Sequence, residues 1–237
     1  MTASSVSSSA TTASRRRPGR LRWRVVDIVV ASVVGVAVGL VFFAWNLTSS
    51  PVRDALEVLL PGVQGSVHGV WLIGGVLTAL IVRKPGAAIY GEMVAATVSA
   101  LFGNEWGPLT LLSGAIQGLG AELIFALFLY ASWGVWAAMA AGAGAGVAMV
   151  VLDLTLWYAG AGALFATVYA IAGILSGAII AGLFSWLAVR ALAKTGALDR
   201  FAAGRERGDA DEASDEYDDV AHDGGAAATN SAGSTTR

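Results

Sequence analysis

Residues 25–45 read VVDIVVASVVGVAVGLVFFAW, and they follow the basic run RRRPGRLRWR at 15–24. A bilayer's hydrocarbon core is crossed by ~20 mostly apolar residues in a helix. The run is too long for the ~7–15-residue apolar stretch of a secretory signal, and no small-residue cleavage site stands out. It therefore reads as a retained signal-anchor and as the first transmembrane helix.

Working outward, residues 46–62 contain Pro51, Arg53, Asp54, Glu57 and Pro61, which marks a loop with room for a short interfacial helix at 52–60. A second span is expected at about 63–82, stopping at Arg83 and Lys84. Pro85 suits the first turn of a third helix, at about 85–102. The polar turn 103–108 follows, then a fourth span at about 109–130, a fifth at 135–158 and a sixth at 163–189. Spans four and five are separated by no charge, only by Ala131-Ser132-Trp133-Gly134. Their run of about 50 residues is too long for one crossing and suits two with a tight turn.

Composition agrees with this pattern. Of 237 residues, 56% are hydrophobic and 14% charged, against roughly a quarter charged in soluble domains. The mean hydropathy is +0.66. The expected fold is all-α: a polytopic membrane protein with a six-transmembrane-helix bundle at 22–195. Flanking it are a basic N-terminal tail at 1–21 and an acidic C-terminal tail at 196–237, both too polar to fold on their own. The net charge of −2 averages these opposite tails.

Lysine and arginine set the expected orientation. Arg15, Arg16, Arg17, Arg20, Arg22 and Arg24 precede the first span. Arg83, Lys84, Arg190, Lys194, Arg200, Arg205 and Arg207 fall on the same side under a six-span reading, and Arg53 falls on the other. Both termini are expected in the cytoplasm, in a multi-pass plasma-membrane protein.

Several chemistries are excluded. The chain has no cysteine, hence no disulfide, iron–sulfur cluster or zinc–thiolate site. His68 and His222 alone cannot build a histidine-rich metal site. There is no phosphate-binding Gly-Lys-Ser/Thr loop and no nucleophile elbow, so no ATP hydrolysis, no enzyme activity and no cofactor is expected of this chain. No strong internal repeat is evident, which weighs against an inverted-repeat carrier.

Candidate site residues come from polar groups inside the spans. Glu92, Glu122 and Asp153 carry intramembrane carboxylates with no lysine or arginine in any predicted span to neutralise them. Such residues usually face a cavity or the bundle interior, and they suit a cationic ligand, a cation or a proton. Gln64, His68 and Trp71 are spaced i, i+4, i+7 and share a face of an α-helix. Gln117 and Tyr169 lie in the outer halves of their spans. Trp106, Trp157 and Tyr158 fit either an interfacial aromatic belt or a ligand-binding role. Together these groups suggest an outward pocket for a flat, nitrogen-rich or cationic molecule, held by stacking and cation–π contact. In the first helix Ala31, Gly35 and Gly39 form a small-residue stripe that permits close helix approach, for internal packing or for a separate subunit.

The run Arg83-Lys84-Pro85-Gly86-Ala87-Ala88, with Glu92 and Asn104-Glu105-Trp106-Gly107, resembles the YkoE family. So does GAIQGLGAELIF at 114–125. That family comprises substrate-binding S components of energy-coupling factor (ECF) transporters, and the resemblance covers roughly residues 22–195. It implies six helices, cytoplasmic termini and a vitamin site open to the outside. It implies a separate transmembrane coupling subunit and ABC ATPases as partners, with Ala31, Gly35 and Gly39 offered to the coupling subunit. It points to thiamine or its hydroxymethylpyrimidine precursor, and thiamine is an aromatic cation that would suit Glu92 and Glu122. The residues alone leave two other readings open: a stand-alone proton- or cation-coupled carrier using the three acids, and a non-transport membrane scaffold.

Overall fold

A computed structural model describes residues 21–198 and 201, which are helical and turn structure with no strand among them. The disordered tails expected at 1–21 and 196–237 lie almost wholly outside the described residues. Five helices are long and apolar enough to cross a membrane, and a sixth apolar helix, Ala87–Leu101, is shorter.

Helix α1 runs Val25–Leu59 without a break, 35 residues with Pro51 inside it. The loop expected from Asn46 onward is therefore helix. At 1.5 Å per residue α1 is roughly 50 Å long, well beyond a ~30 Å hydrocarbon core. At that length its last turns would reach past the apolar layer, where water can bond the carbonyl that Pro51 leaves without a donor. The second span opens as a 3₁₀ segment, Val63–Leu72, and continues as α2, Ile73–Val82. Arg83, at φ 54°, turns the chain out of α2. Next come α3, Ala87–Leu101, and α4, Leu109–Leu127. The junction before α5, Val135–Leu156, is a turn in which Leu129 and Tyr130 both have φ 52°. The last span is one rod of three parts: α6, Ala163–Ser176, a π-helical stretch, Gly177–Leu183, and α7, Phe184–Lys194.

Small residues set how closely these rods pack. A Cβ on Gly39 would lie 2.6 Å from Val98 Cβ, and one on Gly35 2.7 Å from Val94 Cβ. Ala31 is likewise fully buried. The Ala31–Gly35–Gly39 stripe is thus the seam between α1 and α3, and it is not a free face for another subunit. The docking expectation for these three residues is corrected to internal packing, because the shallow groove they leave is filled by α3. Trp23 Nε1 donates to Pro85 O at 2.8 Å, and Ser32 and Tyr90 hydroxyls meet at 2.7 Å, which ties the first half of α1 to the start of α3. Glycine against glycine joins α5 to the last rod: a Cβ on Gly142 would lie 2.2 Å from Gly177 O. Gly142→Val is expected to cost ~2–3 kcal/mol, the overpacking penalty. Thermal unfolding in detergent should show a clearly lower midpoint than for Ala143→Val, whose site is only partly buried.

Candidate functional site

The bundle has two dissimilar ends. At the end where α1 and α3 finish and α4 begins, the helices enclose a cavity of about 360 Å³. At the other end, where α2 finishes and α3 begins, Val82, Ala87, Phe125 and Trp133 are buried in the apolar core.

Each wall of the cavity has a local cause. Helix α1 contributes Phe42, Asn46 and Arg53 because it continues past its apolar half. The 3₁₀ segment contributes His68 and Trp71. With three residues per turn, side chains at i and i+3 eclipse, and the His68 and Trp71 rings lie 5.3 Å apart at 34°. The same geometry removes Gln64, four residues before His68 and so a third of a turn away. Gln64 is 1% exposed and its Oε1 accepts from Gly62 N at 2.8 Å. The expectation that it lines the pocket is thus corrected: it had assumed α-helical spacing.

Helix α3 presents Glu92, Ala96 and Ser99 on one stripe to the cavity. The Glu92 side chain spans to the first turn of α2, which continues directly from the 3₁₀ segment. Gly75 N donates to Glu92 Oε2 at 2.5 Å, and glycine at 74 and 75 leaves room for the carboxylate. The second oxygen, Oε1, is buried without a hydrogen-bond partner. Helix α4 supplies Thr110, Ser113 and Gln117, α5 supplies Met149, Asp153 and Trp157, and α6 supplies Tyr169. Tyr169 OH donates to Asp153 Oδ2 at 2.5 Å and also lies 3.2 Å from His68 Nδ1.

Aromatic rings and one arginine crowd the rim. Trp71 and Trp106 meet edge to face at 5.4 Å. The Arg53 guanidinium lies 5.9 Å from the Trp71 ring centre and 5.4 Å from that of Trp106, and forms an ion pair with Glu105. Asn104 Oδ1 accepts from Trp106 N, Gly107 N and Thr110 Oγ1 at 2.9–3.1 Å, which shapes the loop carrying Trp106. Asn46 links two walls: its Oδ1 accepts from Trp71 Nε1 at 2.8 Å and its Nδ2 donates to Ser99 Oγ at 2.9 Å.

Of the sequence-expected residues, the cavity gathers His68, Trp71, Glu92, Trp106, Gln117, Asp153, Trp157 and Tyr169. It does not gather Glu122. That carboxylate lies at the opposite end and accepts from Gly86 N at 2.6 Å, Ala88 N at 2.8 Å and Tyr130 OH at 2.8 Å. It caps the start of α3, whose free N–H groups and dipole favour an anion there. Its mid-span position in the sequence had suggested a pocket role; α4 ends sooner than expected, at Leu127, and leaves Glu122 near the helix end.

The cavity also contains residues that sequence reading passed over: Asn46, Arg53, Ser99, Asn104 and Glu105. Arg53 carried a signal, as the lone basic residue on its side of the expected topology. Asn46 and Ser99 carried none, being ordinary polar residues at a span end.

Among the described residues no three His, Asp or Glu side chains converge to hold a metal ion. What the cavity offers is an aromatic lining, two carboxylates in its wall and a mixed polar rim.

Three comparisons place the chain among known proteins. A family model described as the permease component of an ABC-type cobalt transport system matches residues 26–148. A candidate HMP/thiamine permease protein, YkoE, of Bacillus subtilis (strain 168) is 32% identical over 185 residues, covering 78% of this chain and 92% of that protein. A crystal structure of an S-component of an ECF transporter superimposes with a TM-score of 0.76 at 31% identity, covering 83% of this chain and 98% of the other.

Proposed function

The chain belongs to the YkoE family of S components of ECF transporters, and from that premise we propose that it captures thiamine or its hydroxymethylpyrimidine precursor for an ABC-type importer. It is a multi-pass membrane protein of a transporter family, not of an enzyme family. A vitamin substrate and ECF partners follow from that membership. In this reading the cavity opens to the outside and both termini lie in the cytoplasm, as the basic residues at the opposite end favour. A separate coupling subunit and ATPases would then drive release inward.

The observation that carries the choice of ligand is the unpartnered Glu92 oxygen in an aromatic-lined cavity. A buried acceptor without a donor costs ~1–3 kcal/mol, and a ligand N–H or cationic ring would relieve it. Both candidates carry an aminopyrimidine, and thiamine adds a cationic ring that suits the carboxylates and the rings of Trp71 and Trp106. The absence of a converging donor set among the described residues favours an organic ligand over a metal ion.

The test is a titration of the purified chain. Thiamine or the pyrimidine alcohol should quench tryptophan fluorescence saturably, and Trp71→Phe should lower both amplitude and affinity, the latter by up to about tenfold, because phenylalanine has a smaller π face and no N–H to hold Asn46 in the wall. Proteoliposomes with the chain alone should show no uptake under an ion gradient. Absent quenching, or gradient-driven uptake by the isolated chain, would refute the proposal.

A further inference from the structure

The hydrogen bonds around Tyr169 run in one direction. A phenol has a single proton, and that of Tyr169 goes to Asp153 Oδ2. Towards His68 Nδ1, at 3.2 Å, the hydroxyl can therefore only accept. The hydrogen in that contact must belong to Nδ1. A neutral imidazole has one N–H, so Nε2 is then a bare acceptor.

The ring has little freedom to turn away from this arrangement. It is 7% exposed, tilted against Trp71 at 5.3 Å and edge-on to Tyr169 at 5.5 Å. Tyr169 is in turn stacked on Phe165 at 5.7 Å and 8°. Nε2 has no hydrogen-bond partner among the described residues, yet it is not one of the polar atoms sealed from solvent. The ring borders the cavity, so this is where Nε2 finds its opening. With Glu92 Oε1 on α3 also lacking a donor, the inner wall presents acceptors from two different elements.

We infer that Asp153 and Tyr169 are positioning residues that fix His68 as a hydrogen-bond acceptor towards the cavity, so that the site selects a flat heterocycle bearing an exocyclic N–H over its oxygen-substituted counterpart. The ligand half of this inference rests on the capture function proposed above; the tautomer half does not. A merely structural Tyr169 would hold the packing without setting the tautomer.

The chain has two histidines, so a full-length His222→Gln protein labelled with ¹⁵N-histidine reports His68 alone. Its NMR spectrum without ligand should show a proton on Nδ1 and an unprotonated Nε2. Tyr169→Phe, which removes the acceptor of that proton, should populate the Nε2–H form. Asp153→Ala frees the phenol proton for Nδ1 and should do the same, which keeps the test sharp if Tyr169→Phe does not fold.

Binding gives the second readout. The wild-type chain should prefer 4-amino-5-hydroxymethyl-2-methylpyrimidine over its 4-methoxy counterpart by about 10- to 100-fold, the effect of one mismatched buried hydrogen bond. The positioning variants should compress that ratio to about threefold or less, since the acceptor is no longer fixed. A proton on Nε2 or on both nitrogens in the wild type overturns the inference, as does an unchanged ratio in both variants. Should neither the pyrimidines nor thiamine bind while Nδ1 carries the proton, the capture function fails and the tautomer assignment stands on the spectrum.

Discussion

Glu92→Gln is expected to weaken thiamine capture by about 100-fold without loss of folded protein. The reason lies in the two oxygens of Glu92. Oε2 accepts from Gly75 N at 2.5 Å, and a glutamine carbonyl can accept that bond equally well. Oε1 has no partner inside the protein. In the variant an NH₂ takes its place, which repels a ligand donor. A buried donor facing a donor costs ~1–3 kcal/mol, or roughly 5- to 150-fold in affinity. Glu92→Ala should show the same loss of binding and a lower melting midpoint besides, because Gly75 N then lacks its acceptor. Fluorescence titration and thermal unfolding on the same preparations separate the two effects. Wild-type affinity in Glu92→Gln would remove this carboxylate from the site.

Glu122→Ala should do the reverse. Gly86 N, Ala88 N and Tyr130 OH all lose their acceptor, which leaves the start of α3 uncapped inside the bundle. The expected cost is ~3–5 kcal/mol, as for breaking a buried charged network, and a midpoint lower by ~10 °C. Ligand affinity of the folded fraction should stay at the wild-type value, since Glu122 does not line the cavity. The Tyr130 contact adds a pH signature. Burial, together with the hydrogen bond to Glu122 and its charge, pushes the Tyr130 hydroxyl up from 10 to about 12. The folded state therefore holds this proton more tightly than the unfolded chain. Stability from the contact is fully present below pH 10 and is lost as pH rises towards 12. Unfolding midpoints measured across that window should fall in the wild type and be flatter in Glu122→Ala. A ligand affinity that drops with Glu122→Ala, at equal folded fraction, would show that Glu122 acts on the site after all.

The two glutamates show how far linear reading reaches. Both sit within apolar runs, and both do face the bundle interior, as the cost of an intramembrane carboxylate demands. Each also accepts from backbone N–H groups near the start of a neighbouring helix. Only Glu92 has an oxygen left over, and the backbone N–H partners of the two carboxylates are residues 17 to 36 positions away in the chain. Gln64 and His68 make the same point through local geometry. An α-helical spacing puts them on one face, but the segment is 3₁₀, so they part. The 3₁₀ segment packs closely on the last rod, where a Cβ on Gly69 would lie 2.4 Å from Ser176 O.

That this chain is a multi-pass helical membrane protein, with polar groups gathered in particular halves of its spans, follows from its linear pattern of apolar and charged residues. Hydropathy suffices for that, because lipid leaves a spanning backbone no alternative to the helix. The residues at 83–92 and 104–125 also carried the family resemblance. Tertiary structure alone decided that α1 runs on through Pro51 to bring Arg53 to the rim, and that Ala31, Gly35 and Gly39 close onto α3. It likewise decided which acidic residue faces the cavity and which caps a helix. Hydropathy reports the solvent each residue prefers. The partner of a buried polar atom depends on which helix lies across the groove, and that follows only once all the spans are packed.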